Sequence, residues 1–173
     1  ADNPEFRADM IATLQSSEKK INDLIARLSR GNSAEAEPLR SMPLDPILEA
    51  VAGVKQRVHP VWISGDAELS TRADPVRLEQ ALAHLVQNAI DASRSDEPVR
   101  IEVTGQGGEV AIAVIDSGAG MSPEFVRTRL FQPFASTKQG GFGIGAFEAR
   151  APIQAMHGRL GVESREGEGT PIT

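Results

Sequence analysis

The chain has 173 residues and a formal net charge of −6, from 18 basic and 24 acidic side chains; that balance argues against a bulk nucleic-acid binder, which presents a basic face. It has no cysteine, so disulfides, thiolate metal sites and cysteine nucleophiles are excluded, and its three histidines, His59, His84 and His157, are too scattered along the sequence to suggest a zinc site. Hydrophobic residues make up 40% and aromatics 4%, which predicts an aliphatic core, and no run approaches the ~20 apolar residues of a membrane span. The chain itself is expected to be soluble and cytoplasmic. Its start at Ala1-Asp2-Asn3, without methionine, suggests a piece of a longer protein, whose parent is free to be anchored in the inner membrane.

Asn3-Pro4-Glu5 opens the first predicted helix, with a capping residue followed by proline at the first helical position. Met10, Leu14, Ser17, Ile21, Leu24 and Leu28 then recur at spacings of four and three, a heptad seam of about three repeats that calls for a partner helix. Gly31-Asn32 ends it. Residues 32–43 read as a polar linker, so the expected division is 1–31, 32–43 and 44–173. Asp45-Pro46 starts a second helix through Ile47, Leu48, Val51, Val54 and Val58. Pro60 to Ser64 reads as a strand, with Leu69 to Ala73 as its hairpin partner.

Asp74-Pro75 caps a helix to about Ser93. Leu78, Leu82, Leu85 and Ala89 share its apolar face, and His84, Asn88 and Asp91 line a polar edge. An asparagine among Leu85, Val86, Ala89 and Ile90 is costly if unpaired, although a solvated edge is the simpler reading of any one of the three. Val99–Thr104 and Glu109–Ile115 flank Gly105-Gln106-Gly107-Gly108 as a hairpin. The second strand delivers Asp116-Ser117-Gly118-Ala119-Gly120-Met121, a carboxylate at a strand end followed by two glycines. That pattern fits a nucleotide pocket and also a plain surface turn. Ser122-Pro123-Glu124 begins a further helix, and Phe131 and Phe134 follow. Ser136 to Gly145 holds four glycines in six positions behind Lys138 and leads into a helix over Ala146–His157, the composition of an anion-binding loop at a helix start, or of a flexible loop. Arg159 to Ser164 reads as a strand and Gly167-Glu168-Gly169-Thr170 as a final turn.

Asn88, Asp116-x-Gly-x-Gly, Phe131/Phe134, Gly141-x-Gly-x-Gly and Gly167-x-Gly-Thr stand in a fixed order. That ordered set resembles the catalytic ATP-binding domain of bacterial sensor histidine kinases, members of the Bergerat-fold ATPases, over Leu44 to Thr170. The resemblance implies an α+β fold: a two-layer α/β sandwich, with helices on one face of a mixed sheet and ATP beneath a lid, preceded by the second helix of a dimerisation hairpin. It implies ATP and Mg²⁺ as cofactors. Asn88 would hold the metal through its side-chain oxygen, and Asp116 would accept from the adenine amino group and repel a guanine carbonyl. Gly118 and Gly120 would let backbone approach the base, and Met121 and Asp91 would be among the cofactor-binding residues. Gly141, Gly143, Ile144 and Gly145 would border the phosphates with Thr137 and Lys138, Thr170 would close the adenine side, and Phe131 and Phe134 would hinge the lid. His84 stands where ATP-hydrolysing relatives place a general-base glutamate, and with Asn88 it is the candidate catalytic residue. Gly143-Ile144-Gly145-Ala146-Phe147-Glu148-Ala149-Arg150, together with Asn3 to Met10, further resembles the kinases associated with exosortase-type exopolysaccharide systems.

The same resemblance exposes departures. None of the three histidines has the setting of a phosphoacceptor, so the acceptor is expected upstream of Ala1, on the histidine phosphoacceptor domain of the parent kinase, with a response regulator as the next partner. The chain alone is then expected not to phosphorylate itself and to be a monomer or weak dimer, the parent being a homodimer. Pro152 falls inside a predicted helix, where it removes a backbone hydrogen bond and predicts a kink or late start. The chain stops at Pro171-Ile172-Thr173, where the family runs a last core strand. Competing readings are an anti-sigma-type serine kinase, a non-transferring nucleotide-sensing domain, and a gyrase- or chaperone-type ATPase.

Overall fold

The computed structural model describes residues 37–133, 135, 143 and 145–173; the expected Met10–Leu28 stem lies outside them. Among the described residues the elements are β1 (Arg40–Pro43), α1 (Asp45–Lys55), β2 (Val61–Gly65), β3 (Ser70–Ala73), α2 (Pro75–Ala92), β4 (Val99–Gln106), β5 (Glu109–Asp116), α3 (Pro123–Thr128), α4 (Gly145–Ala155) and β6 (Thr170–Ile172). They form a four-stranded sheet in the order β2-β4-β5-β6 and a two-stranded sheet of β1 and β3. β2 runs parallel to β4, and the other pairings are antiparallel.

The period-two pattern of β4 sets the layers. Val99, Ile101 and Val103 are fully buried, whereas Arg100, Glu102 and Thr104 between them are exposed. Burying each such side chain contributes about 1.5–3 kcal/mol. Opposite them in register stand Val114 and Ile112 of β5. Over this face one core cluster gathers Ile47, Leu48 and Val51 of α1, Leu78, Leu82, Leu85, Val86 and Ala89 of α2, and Ala149 of α4. The outcome is the expected α+β sandwich, with a mixed sheet and helices on one face. The opposite face is partly open to solvent, and Trp62, the one tryptophan of the chain, stands on it 61% exposed.

Start signals read from the sequence fall on real helix ends. Asp74 caps α2 by accepting from Val76 and Arg77 N–H at 3.0 and 3.1 Å, and Ser122 caps α3 by accepting from Phe125 N–H. The helix after the second glycine loop does not start late: it runs from Gly145 to Ala155 with Pro152 inside it. It closes in a Schellman arrangement: His157 adopts φ +63°, its N–H donates to the Gln154 carbonyl, and Gly158 N–H donates to Ile153. The lone positive-φ non-glycine residue among those described is therefore a helix terminator.

Other expectations give way. The Ser70–Ala73 strand pairs with β1, not with β2, so Arg40–Pro43, inside the expected linker, is a strand. α1 ends at Lys55, leaving Val54 and Val58 largely exposed. Residues 159–164 contribute a single bridge, Val162 to Ile172, flanked by a backbone pair between Gly161 and Thr173. β6 is the last strand: three residues long, it pairs with β5 and sends Ile172 into the core. No helix among the described residues is long and apolar enough to cross a membrane.

Candidate functional site

The sheet register decides where Asp116 points. Ile112, Val114 and Asp116 alternate onto the helix-covered face of β5, and Asp116 is paired with Thr170 at the start of β6. Both are buried, at 7% and 3% exposure. A carboxylate on the inner face of a sheet demands hydrogen-bond donors. Gly118 N–H is one, donating to Asp116 Oδ1 at 2.8 Å and folding the chain back over the strand end.

Two loops then lock together around this end of the sheet. Met121 N–H donates to Ser164 Oγ at 2.8 Å, Ser164 Oγ donates to the Gly169 carbonyl at 3.2 Å, and Ser164 Oγ and Thr170 Oγ1 lie 2.7 Å apart. A hydroxyl has one proton and two lone pairs. With its proton on Gly169, Ser164 must accept from Thr170, and Thr170 Oγ1 keeps acceptor capacity beside Asp116. Ser164 thus joins both loops, a part no motif in the sequence assigns to it. Gly167 N–H donates to the Ala119 carbonyl at 2.8 Å. Glycine is required where the loops touch. Gly120 (φ +66°) would drive a Cβ into the Arg165 carbonyl oxygen, and Gly169 (φ +82°) would drive one into that of Asp116. Gly118 lies against α2, where a Cβ would sit 2.5 Å from the Ala92 carbonyl oxygen. These glycines are therefore needed by protein neighbours, whatever a ligand adds.

On α2, the expected polar trio divides. Asp91 is exposed and accepts from Gln87 Nε2 at 2.7 Å, while Gln87 accepts from Lys55 Nζ of α1 at 2.7 Å. Asn88 and His84 face α4 instead. Gly145, the first residue of α4, abuts the Asn88 amide so closely that a Cβ there would collide with it. His84 Nδ1 stands 2.9 Å from Glu148 Oε2. Glu148 is a second residue that motif reasoning missed, because the two partners lie in separate stretches of sequence. Phe131 carries the Arg150 guanidinium 5.2 Å from its ring centroid, which ties the segment after α3 to α4. Gly143 packs on the Ala135 backbone. Phe134, Thr137, Lys138, Gly141 and Ile144 lie outside the described residues.

A recess of about 660 Å³ opens beside the loops, lined by residues including Ala92, Ser117, Gly118 and Gly167. Neither Asp116 nor Asn88 lines it, so it is a neighbour of the groove that the motifs outline. Among the described residues no three His, Asp or Glu side chains converge on a metal-sized site.

Comparison with known proteins matches this architecture. The chain is 35% identical over 106 residues to the C4-dicarboxylate transport sensor protein DctS of Rhodobacter capsulatus, covering 59% of this chain and 16% of that protein. It is 35% identical over 134 residues to the sensor protein GacS of Pseudomonas syringae pv. syringae, covering 72% of this chain and 15% of that protein. The chain thus spans about a sixth of the length of these relatives. Among solved structures, the nucleotide-free catalytic domain of the histidine kinase ThkA superposes with a TM-score of 0.68 at 25% identity, over 79% of this chain and 93% of that one. The family model for histidine kinase-, DNA gyrase B- and HSP90-like ATPases matches residues 73–173, the stretch that runs from the cap of α2 through Asp116 to β6, and the chain belongs to that family.

Proposed function

We propose that this chain is the ATP-binding catalytic part of a two-component sensor histidine kinase, passing the γ-phosphate of ATP to a histidine outside this sequence for relay to a response regulator. The observation that carries the reading is the buried Asp116–Thr170 pair, facing the helix layer at the sheet end that both loops enclose. A carboxylate there accepts from an amino group and repels a carbonyl, which selects adenine over guanine. Asn88 is the proposed Mg²⁺ ligand. Bound Mg²⁺ would neutralise charge on the phosphates. The start of α4 at Gly145, with Gly143 before it, offers backbone N–H groups to phosphate oxygens, and Thr137, Lys138, Gly141 and Ile144 are proposed to continue that border. Gly118, Gly120, Met121 and Asp91 are assigned to the base side of the pocket, and Phe131 and Phe134 to the lid hinge.

In the same reading residues 1–31 form the second helix of a dimerisation hairpin, and the globular part follows a linker within 32–43. The parent is a homodimer with this part on the cytoplasmic side of the inner membrane, and the exosortase-associated kinases are its proposed subfamily. The decisive experiment is calorimetric titration with a non-hydrolysable ATP analogue, with and without Mg²⁺, against GTP and an Asp116→Asn variant. Binding of the adenine analogue alone, lost in the variant by a factor of ~10 or more for a charge-assisted hydrogen bond, is expected. Equal binding of GTP would refute the pocket, and binding without any transfer by the parent kinase would favour the nucleotide-sensing alternative.

A further inference from the structure

Helices α2 and α4 meet in antiparallel register at two levels. At the first, Gly145 touches the Asn88 amide. One turn further along α4 and one turn back along α2, Glu148 meets His84, Oε2 to Nδ1 at 2.9 Å. Ala149, beside Glu148, is fully buried, so the register is held by packing as well. The Glu148 side chain is only 14% exposed, and among the described residues its buried Oε2 has no hydrogen-bond partner: His84 Nδ1 lies within reach without forming a hydrogen bond in this arrangement. A carboxylate oxygen withdrawn from water in this way is costly unless a donor meets it, and the imidazole, 2.9 Å away, is the group placed to turn an N–H toward it.

We propose that Glu148 is a positioning residue for phosphoryl transfer: it holds His84 with Nδ1 protonated, so that Nε2 is the ring's accepting nitrogen one turn from Asn88, and it fixes the start of α4 against that asparagine. The inference rests on the kinase reading above and deepens it. A carboxylate behind an imidazole fixes both tautomer and ring orientation. His84 is then not a weak stand-in for a general-base glutamate but half of a two-residue unit, and the helix that follows the glycine loop is coupled to the helix that carries Asn88.

The test has one readout without nucleotide and one with it. In ¹⁵N-labelled chain, imidazole nitrogen shifts report the tautomer, and with three histidines in the sequence the His84 signals are assigned by their loss in His84→Asn. Wild type is expected to show Nδ1 protonated, and Glu148→Leu to revert toward the Nε2-protonated form favoured by an unrestrained ring. An unchanged His84 ring in folded Glu148→Leu would overturn the proposal. If that variant does not fold, Glu148→Gln decides, because its weaker acceptor must still shift the Nδ1 signal. In the parent kinase, Glu148→Leu is expected to lower kcat by ~10–100-fold, the usual cost of losing such a support, with KM for ATP changed less than about twofold. The double variant with His84→Asn should be no slower than His84→Asn alone. Additive losses would reduce Glu148 to a structural contact and overturn the proposal. Failure of wild type to bind the ATP analogue would instead sink the kinase reading and the role in transfer with it, while intact analogue binding with an unmoved ring would sink this inference alone.

Discussion

The sheet with α2 and the two loops beyond Asp116 are held by opposite means. In the first, side chains fill space: Val99, Ile101 and Val103 share one buried cluster with Leu82, Leu85 and Val86, and stability comes from apolar area removed from water. In the second, Gly120 and Gly169 lie against carbonyl oxygens of the facing chain, and cohesion comes from hydrogen bonds through Ser164 and Gly167. One region is damaged by taking atoms away and the other by adding them. The lesson is that the frame can be repacked within its volume, whereas the loop pair tolerates almost no increment at its contact points, so the candidate site is sterically less forgiving than the core beneath it.

The contrast is sharpest at Ile101. Replacing it by Ala removes a fully buried side chain and leaves a cavity, with an expected loss of ~2–5 kcal/mol in chemical denaturation. Affinity of the remaining folded molecules for the ATP analogue should be unchanged. Gly169→Ala should do the reverse. Its stability cost is smaller, ~1–3 kcal/mol for an unfavourable dihedral and a displaced strand end, but analogue affinity measured by calorimetry should fall well beyond what unfolding explains. A Gly169→Ala protein that binds normally would break the comparison. The smallest expected effect is Ser164→Ala. It leaves Met121 N–H and Thr170 Oγ1 without their shared partner at a cost of ~1 kcal/mol, and amide exchange at Met121 should quicken while β4 stays protected.

The frame was legible because its signals are local. Strict alternation in β4 and β5 and the Asp74-Pro75 cap are each contained within a few residues, and each became the element it announced. β1 was not, and β3 was legible as a strand but not in its pairing, because four-residue strands of this composition find their partner only across the intervening α1 and β2. β6, of three residues, is recognisable only beside β5. The same limit applies at the candidate site. Asp116 and the adjacent glycines stand in one short run, so their grouping could be read directly. Ser164 and Glu148 act through partners on other elements, and only the folded register reveals that Ser164 reaches Met121 or that Glu148 reaches His84. A serine in a loop and a glutamate in a helix have no compositional mark of their own.

Trp62 bears on how these measurements are read. It is the sole tryptophan, and it stands on the sheet face away from the helices and largely open to solvent. Its fluorescence in the folded chain will already resemble that of the denatured one, and adenine bound on the helix side will do little to quench it. Intrinsic emission is thus nearly blind to both unfolding and nucleotide binding. Circular dichroism or amide signals must follow the first, and a tryptophan introduced beside the loops, in a Trp62→Phe background, would turn the same instrument into a direct reporter of the second.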